Sequence, residues 1–211
     1  METSQASPVG GIWKRALDVA VSGTALIVAA PVILLFGLLI RLQDGGPMFF
    51  GHNRLGFGRQ SFRCLKLRTM VSNGDVVLAQ HLAQNPAAKV EWETTRKLRD
   101  DPRVTALGRF LRKTSLDELP QLFNILRGDM SLVGPRPVTG PEIAYYGVAT
   151  RYYTATRPGL TGLWQVSGRS DVDFARRVTL DTYYVRRWSF VRDMMIILRT
   201  PMAVLRSRGS Y

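Results

Sequence analysis

Between Ala16 and Ile40 the chain runs for 25 residues with one ionisable side chain, Asp18, and with Pro31 near its middle. A straight helix of that length would extend roughly 37 Å, enough to cross the hydrocarbon core of a bilayer. No small-residue cleavage signal of a secretory peptide accompanies it, so the segment is expected to stay on the protein. Pro31 lacks an amide hydrogen and its ring crowds the preceding turn, which predicts a bend or break near Ala30. Both flanks are basic, with Lys14 and Arg15 before and Arg41, Arg54 and Arg59 after. The positive-inside tendency then places both ends on the cytoplasmic side. The expectation is a re-entrant helix–break–helix over residues 13–42, kinked at Pro31, that dips into one leaflet and returns. Ser22 or Thr24 would cover carbonyls freed at the break. A plain spanning helix and a buried core helix are the alternatives. Residues 1–12 are expected to be a disordered tail, and residues 43–211 one catalytic domain with interfacial helices at its end.

The 211 residues carry a net charge of +13, with five lysines against 24 arginines. Arginine binds phosphate through a planar fork, so the excess suits a phosphate-rich partner. Nucleotides, nucleic acids and anionic lipid head groups all qualify on charge alone. Cys64 is the only cysteine, which excludes an internal disulfide and a cysteine zinc site; His52 and His81 are too few for a metal cluster.

Residues 47–69 read as two short strands around the Gly56-Phe57-Gly58 turn. Alternation slips at Leu65, which predicts a bulge. Val76–Gln84 and Ala87–Leu98 read as helices separated by Asn85-Pro86. Ala106–Arg112 reads as a short basic helix, and Gly128 as the C-cap of the helix after Glu118. Residues 134–168 are rich in Gly and Pro and read as loops. Near the end, Tyr184, Trp188, Val191, Met195, Leu198, Met202 and Leu205 recur at three- and four-residue spacing, an apolar stripe on one helix face. That face either packs on the core or lies in the membrane interface with flanking arginines on phosphates. The fold class is α+β, mostly α, with a small hairpin.

The chemistry concentrates at Asp117 and Glu118. Ser115-Leu116-Asp117-Glu118 has the form of a capping box, with Asp117 as an alternative N-cap. A helix start beside Arg112 and Lys113 favours the ionised carboxylate. An ionised, positioned Asp can attack phosphorus to give an acyl phosphate if cations mask the repulsion between anions. Mg²⁺ suits such a site, because it binds through one or two carboxylates plus substrate phosphates. Lys66 and Arg68 on the second strand, Arg136 between prolines, and Arg157 and Arg169 in loops are the other candidate phosphate ligands. No Walker-type or dinucleotide fingerprint occurs.

Taken in order, KRALDVAVSGTALIVAAPVILL, PMFFGHNRLGFGRQSFRCLKLRTM, DPRVTALGRFLRKTSLDELPQLFNILRGDMSLVGPRPV, RPGLTGLWQVSGR and LDTYYVRRWSF resemble a bacterial monotopic polyprenol-phosphate phosphoglycosyl transferase. The resemblance extends from about Trp13 to Leu205. It implies an α-rich domain on a re-entrant helix, at the cytoplasmic face of the bacterial inner membrane. It also implies transfer of a sugar 1-phosphate from a UDP-sugar to undecaprenyl phosphate, with UMP released, at the start of exopolysaccharide or glycan assembly. The dyad of that family falls on Asp117 and Glu118. Asp117 would form the covalent phospho-sugar intermediate, and Glu118 would help place Mg²⁺ or manage the proton. Phosphate positions map to Arg112, Lys66 and Arg136. Where the family often has Ser before its re-entrant proline, this chain has Ala30.

Other classes stay in view. No helix-turn-helix, OB or RRM signature supports a nucleic-acid partner, and none is expected. A non-catalytic membrane scaffold for glycan enzymes would make the acid pair incidental. The WQVSGR loop, Trp164 to Arg169, leans toward a plain hexose, galactose or glucose, and the last helix could serve a homodimer.

Overall fold

The structure, a computed structural model, describes residues 7–168 and 173–205. α1 (Gly11–Asp44) leads into a hairpin of β1 (Phe49–Leu55) and β2 (Ser61–Leu67), then α2 (Gly74–Gln84), α3 (Pro86–Thr95), α4 (Ala106–Thr114) and α5 (Gln121–Arg127). The second half holds β3 (Ser131–Val133), α6 (Thr150–Thr154), β4 (Gly159–Thr161), α7 (Leu163–Val166), α8 (Phe174–Arg186) and α9 (Phe190–Leu205). The class is mostly helical, as expected. Part of the region read as loop forms a second sheet, because β3 and β4 pair in parallel. Glycine permits that close approach: a Cβ on Gly134 would lie 2.5 Å from the Arg157 carbonyl oxygen.

α1 spans 34 residues and contains Pro31 within one continuous helix, where a break between two helices was expected. At 1.5 Å per residue it is about 51 Å long. The proline removes one backbone bond, while the unbroken turns on either side keep the segment a single element. The expected covering hydroxyls do other things. Thr24 donates to Ala20 O, not to the Ile27 carbonyl that Pro31 leaves without a donor, and the buried Ser22 hydroxyl has no partner among the described residues.

The buried residues of α1 are Lys14, Asp18, Ser22, Ile33, Gly37 and Ile40, a stripe at helical spacing along its whole length. Its first half is polar. Lys14 Nζ lies 2.5 Å from Asp193, with side-chain exposures of 5% and 1%. Asp193 also accepts from the Tyr184 hydroxyl at 2.7 Å and the Trp188 indole at 3.0 Å. Asp18 accepts from Ser131 Oγ at 3.0 Å and Leu132 N at 2.9 Å. Arg15 donates to Ile125 O at 2.5 Å and Leu126 O at 2.7 Å, at the C-terminal end of α5. Lys14 and Arg15 are therefore held in the fold and are not free flanking charges. The outer surface of α1 is left bare: Ile27 is 78% and Val28 74% exposed, and Leu34, Leu35, Leu38 and Leu42 are exposed with them. Among the described residues α1 is the one helix long and apolar enough to cross a membrane.

The hairpin has an unbroken register from Phe49↔Leu67 to Leu55↔Ser61, so the bulge expected at Leu65 is absent. The slip in alternation has another cause. Phe62 and Cys64 face a core built with Leu122, Ile125 and Met130, whereas Leu67 turns to the opposite cluster with Ile33, Ile40 and Leu111. Each face of β2 is covered by a different part of the molecule.

The final apolar stripe divides between two helices. Tyr184 ends up buried on α8, with the chain breaking around Arg187–Ser189, while Val191, Met195, Leu198 and Met202 stay exposed on α9. Core packing thus claims Tyr184 and Trp188, and Val191, Met195, Leu198 and Met202 fit the interfacial alternative. Of the tail expected over residues 1–12, Val9 is tied down by its amide bond to Ala155 O, and residues 1–6 lie outside the described residues.

Removing Asp193 leaves Lys14 buried without its counter-ion. Asp193→Ala is expected to destabilise the protein by about 3–5 kcal/mol, read as a large drop in thermal midpoint in detergent. A midpoint within a degree or so of wild type would show that the pair does not hold α1.

Candidate active site

α4 brings the acid pair into place. Thr105 caps it, its Oγ1 accepting from Gly108 N at 2.9 Å. Gly108 has no room for a Cβ against the Thr69 backbone, so α4 lies directly on the segment following β2. From there Arg112 Nε reaches Thr69 Oγ1 at 2.9 Å. Ser115 closes the helix in the left-handed region (φ 58°), and Leu116–Glu118 make a single 3₁₀ turn. The capping box is not formed: the Ser115 side chain caps nothing, because the segment ends one helix and does not begin another.

Lys66 joins the dyad. Its ammonium is 2.6 Å from Glu118 Oε1 and 3.5 Å from Asp117 Oδ2. Asn124, fully buried in α5, positions the strand that carries Lys66. Its Oδ1 accepts from Leu65 N at 2.9 Å and its Nδ2 donates to Arg63 O at 2.8 Å, standing in for a neighbouring strand along the free edge of β2. A lone polar residue in the otherwise apolar run Leu122–Ile125 is the sequence signal that could have singled it out.

The electrostatics differ from the helix-start expectation. Asp117 is 6% exposed, and this burial raises its pKa, opposed by the positive charges of Lys66 and Arg112. Burial also pulls on the Lys66 ammonium, but the carboxylates of Glu118 and Asp117 outweigh it and its pKa is raised. Burial lowers that of Arg112. A helix dipole acts weakly here, since a 3₁₀ turn and not an α-helix begins at the pair.

The structure brings together Asp117, Glu118, Lys66 and Arg112, and places Arg136 within electrostatic reach of Lys66. Arg68 goes elsewhere. Its guanidinium holds Asp44 at 2.7 and 2.5 Å and bonds Ser72, tying the end of α1 to the hairpin. The chain turns just past the end of β2, so Arg68 does not share the outlook of Lys66. Arg157 Nε donates to Gly128 O at 2.7 Å, at the C-terminal end of α5. Arg169 lies outside the described residues.

An apolar groove of about 690 Å³ runs along α1, lined by Ala20, Thr24, Val28 and Val32 and closed by Leu116 and Leu119. Those two leucines bracket Asp117 and Glu118 in the chain. No cluster of three or more acidic, His or Cys ligands occurs among the described residues. A hard divalent cation would therefore take oxygens from Asp117 and Glu118 and fill its shell with water and substrate phosphates, which is how Mg²⁺ ordinarily binds.

Carboxylates held by a lysine, with neighbouring leucines that line an apolar groove, on a domain that carries an exposed apolar helix, make up a site suited to phosphate esters. The chain belongs to the bacterial sugar transferase family, which it matches over residues 9–207. It is 55% identical over 210 residues to the exopolysaccharide production protein ExoY of Sinorhizobium fredii, covering 100% of this chain and 93% of that one. It is 50% identical to the undecaprenyl-phosphate galactose phosphotransferase of Salmonella typhimurium, over 94% of this chain and 41% of the relative. A third relative, the UDP-glucose:undecaprenyl-phosphate glucose-1-phosphate transferase of Caulobacter vibrioides, is 42% identical over 94% of this chain and 72% of its own length.

Lys66 opposes the effect of burial on Asp117. Lys66→Met is expected to raise the Asp117 pKa further, followed by carboxyl-carbon NMR of the labelled protein across an acid titration. A fall in that pKa would show that the ammonium does not face the carboxylate.

Proposed function

We propose that the protein transfers a sugar 1-phosphate, with a hexose such as galactose or glucose as the sugar, from a UDP-sugar to undecaprenyl phosphate. UMP is released, and the product starts an exopolysaccharide or related glycan. The observation that carries this reading is the Lys66-held acid pair in a segment whose leucines line the groove along α1. Leu116 and Leu119 line the apolar channel and flank Asp117 and Glu118, so a lipid chain in the groove would deliver its phosphate to the carboxylates. The names of the relatives, with galactose and glucose phosphotransfer to undecaprenyl phosphate among them, support the same substrates.

In this mechanism an ionised Asp117 oxygen attacks the phosphorus next to the sugar. The phosphorus–oxygen bond to UMP breaks, leaving a phospho-sugar on the aspartate. An oxygen of the lipid phosphate then attacks the same phosphorus, and the Asp117 carboxylate leaves. Lys66 and Arg112 lower the cost of bringing a carboxylate to an anionic phosphate, and burial of Asp117 strips it of water that would blunt its attack. Glu118 holds Lys66 in place and, with Asp117, supplies oxygens for Mg²⁺, which would neutralise diphosphate charge when bound. The site lies at the cytoplasmic face of the bacterial inner membrane. The outer face of α1 sits in lipid, both of its ends stay with the domain, and the Val191–Met202 stripe of α9 rests at head-group depth.

Purified protein with Mg²⁺ in detergent is expected to release UMP from UDP-galactose or UDP-glucose when undecaprenyl phosphate is added. Asp117→Asn should reduce turnover by a factor of about 10³ or more with the fold retained. Turnover should also fall as pH drops, with its acid limb above the ordinary aspartate range, because protonation removes the nucleophile and burial raises the pKa. Wild-type-like turnover in Asp117→Asn removes Asp117 from the nucleophile role. An inert wild type, with alanine at both acids also harmless to glycan assembly in cells, favours the scaffold.

A further inference from the structure

Beside the dyad, on a side that shares no residue with the groove, two arginines converge on one indole. The Arg177 guanidinium carbon is 4.1 Å from the centre of the Trp164 ring and that of Arg136 is 5.7 Å from it. Arg177 also lies 5.5 Å from the Phe174 ring. Trp164 is 5% exposed, and its indole Nε1 has no hydrogen-bond partner among the described residues; nor do Arg177 Nε and Gln165 Oε1 beside it.

Neither guanidinium forms an ion pair or hydrogen bond among the described residues. Carboxyls are at hand but otherwise engaged. Asp181, one turn along α8 from Arg177, accepts the Tyr146 hydroxyl at 2.7 Å, and burial pushes its pKa up to about 7. Glu142 is held by Arg54 at 3.0 Å and by the Thr139 amide at 2.7 Å. The result, among the described residues, is two guanidinium groups without a side-chain hydrogen bond or ion pair, gathered on one flat aromatic surface with Asp181 and Glu142 only at longer electrostatic range, the arrangement in which forked donors are held ready for an anion.

The link to the chemistry is Arg136, within electrostatic reach of both Lys66 and Arg177. Lys66 is committed to the dyad and Arg112 to Thr69. A diphosphate with one phosphorus at Asp117 therefore meets its next unpaired cations at Arg136 and Arg177.

Resting on the reading above, we infer that Arg177, which no motif in the sequence singled out, is a donor-binding residue: with Arg136 across Trp164 it seats the nucleotide phosphate that leaves as UMP. The two substrates then reach the dyad by separate routes, the lipid along α1 and the nucleotide over Trp164. A phosphate monoester on the lipid offers the same chemistry to these arginines, so the test separates the two.

The full chain in detergent is compared with Arg177→Gln, with Arg177→Lys, and with Arg176→Gln as a control for lost surface charge. Each is checked by its circular dichroism and melting. UDP binding is measured by calorimetry without lipid, and the KM values for UDP-sugar and for undecaprenyl phosphate are measured separately. Arg177→Gln is expected to weaken UDP binding and raise the donor KM by roughly tenfold or more, the value of a hydrogen bond to a charged group. The acceptor KM and the control should stay near wild type, and Arg177→Lys should recover part of the loss. Unchanged UDP affinity and donor KM, or a rise in the acceptor KM alone, overturns the inference. Should Arg177→Gln not fold, wild-type UDP affinity in Arg177→Lys overturns it, because the fork is gone. If the wild type binds UDP yet transfers no sugar phosphate, the proposed reaction fails, while the calorimetry still decides the role of Arg177.

Discussion

Lys14 and Asp193 meet at 2.5 Å with almost no exposure, so the pair, the hydroxyl and indole beside it and the nearby Asp18 stand in place of the water each charge has lost. Such a pair is costly to form and costlier to break from one side. Its placement matters because α1 is apolar enough to leave the domain for lipid. Lys14 and Asp18 anchor one end of α1 to α9 and β3, and Asp44 with Arg68 anchors the other end to the hairpin. Both ends of the long apolar helix are thus tied to the same domain. The groove beside the acid pair exists because α1 is kept alongside it.

The site itself depends on close backbone approaches. Gly108 lets α4 rest on the Thr69 backbone, and Asn124 supplies the edge that β2 lacks. Together they bring Lys66 and Arg112 to the dyad from two different segments. Neither contact is strong alone. Each fixes a strand or helix whose side chain then has little freedom left, so the charges around Asp117 are organised before a substrate arrives.

Much of this was legible in the residues. The hairpin around Gly56–Gly58, the helix-ending Gly128 and the apolar first helix follow from local pattern, and the candidates Asp117, Glu118, Lys66 and Arg112, named from pattern and family resemblance, do lie together in the fold. What failed did so where a local rule met a tertiary one. The Ser115 motif has the letters of a capping box, yet tertiary contacts make it the end of α4. Pro31 reads as a break, yet the flanking turns are docked on the domain and the helix runs on. Leu65 reads as a bulge because alternation cannot show that the two faces of β2 serve different cores.

Sequence by itself determined that an apolar helix, a basic surface and a carboxylate pair are present, since hydrophobic length and charge are properties of residues taken in order. Tertiary structure alone decided which cations meet which anions: Arg68 went to Asp44 and Lys66 to the dyad, although two positions separate them in the chain. It likewise gathered Arg136 and Arg177 on Trp164. Electrostatic energy depends on separation and burial in space, and neither can be read from spacing along the chain once it has folded back on itself.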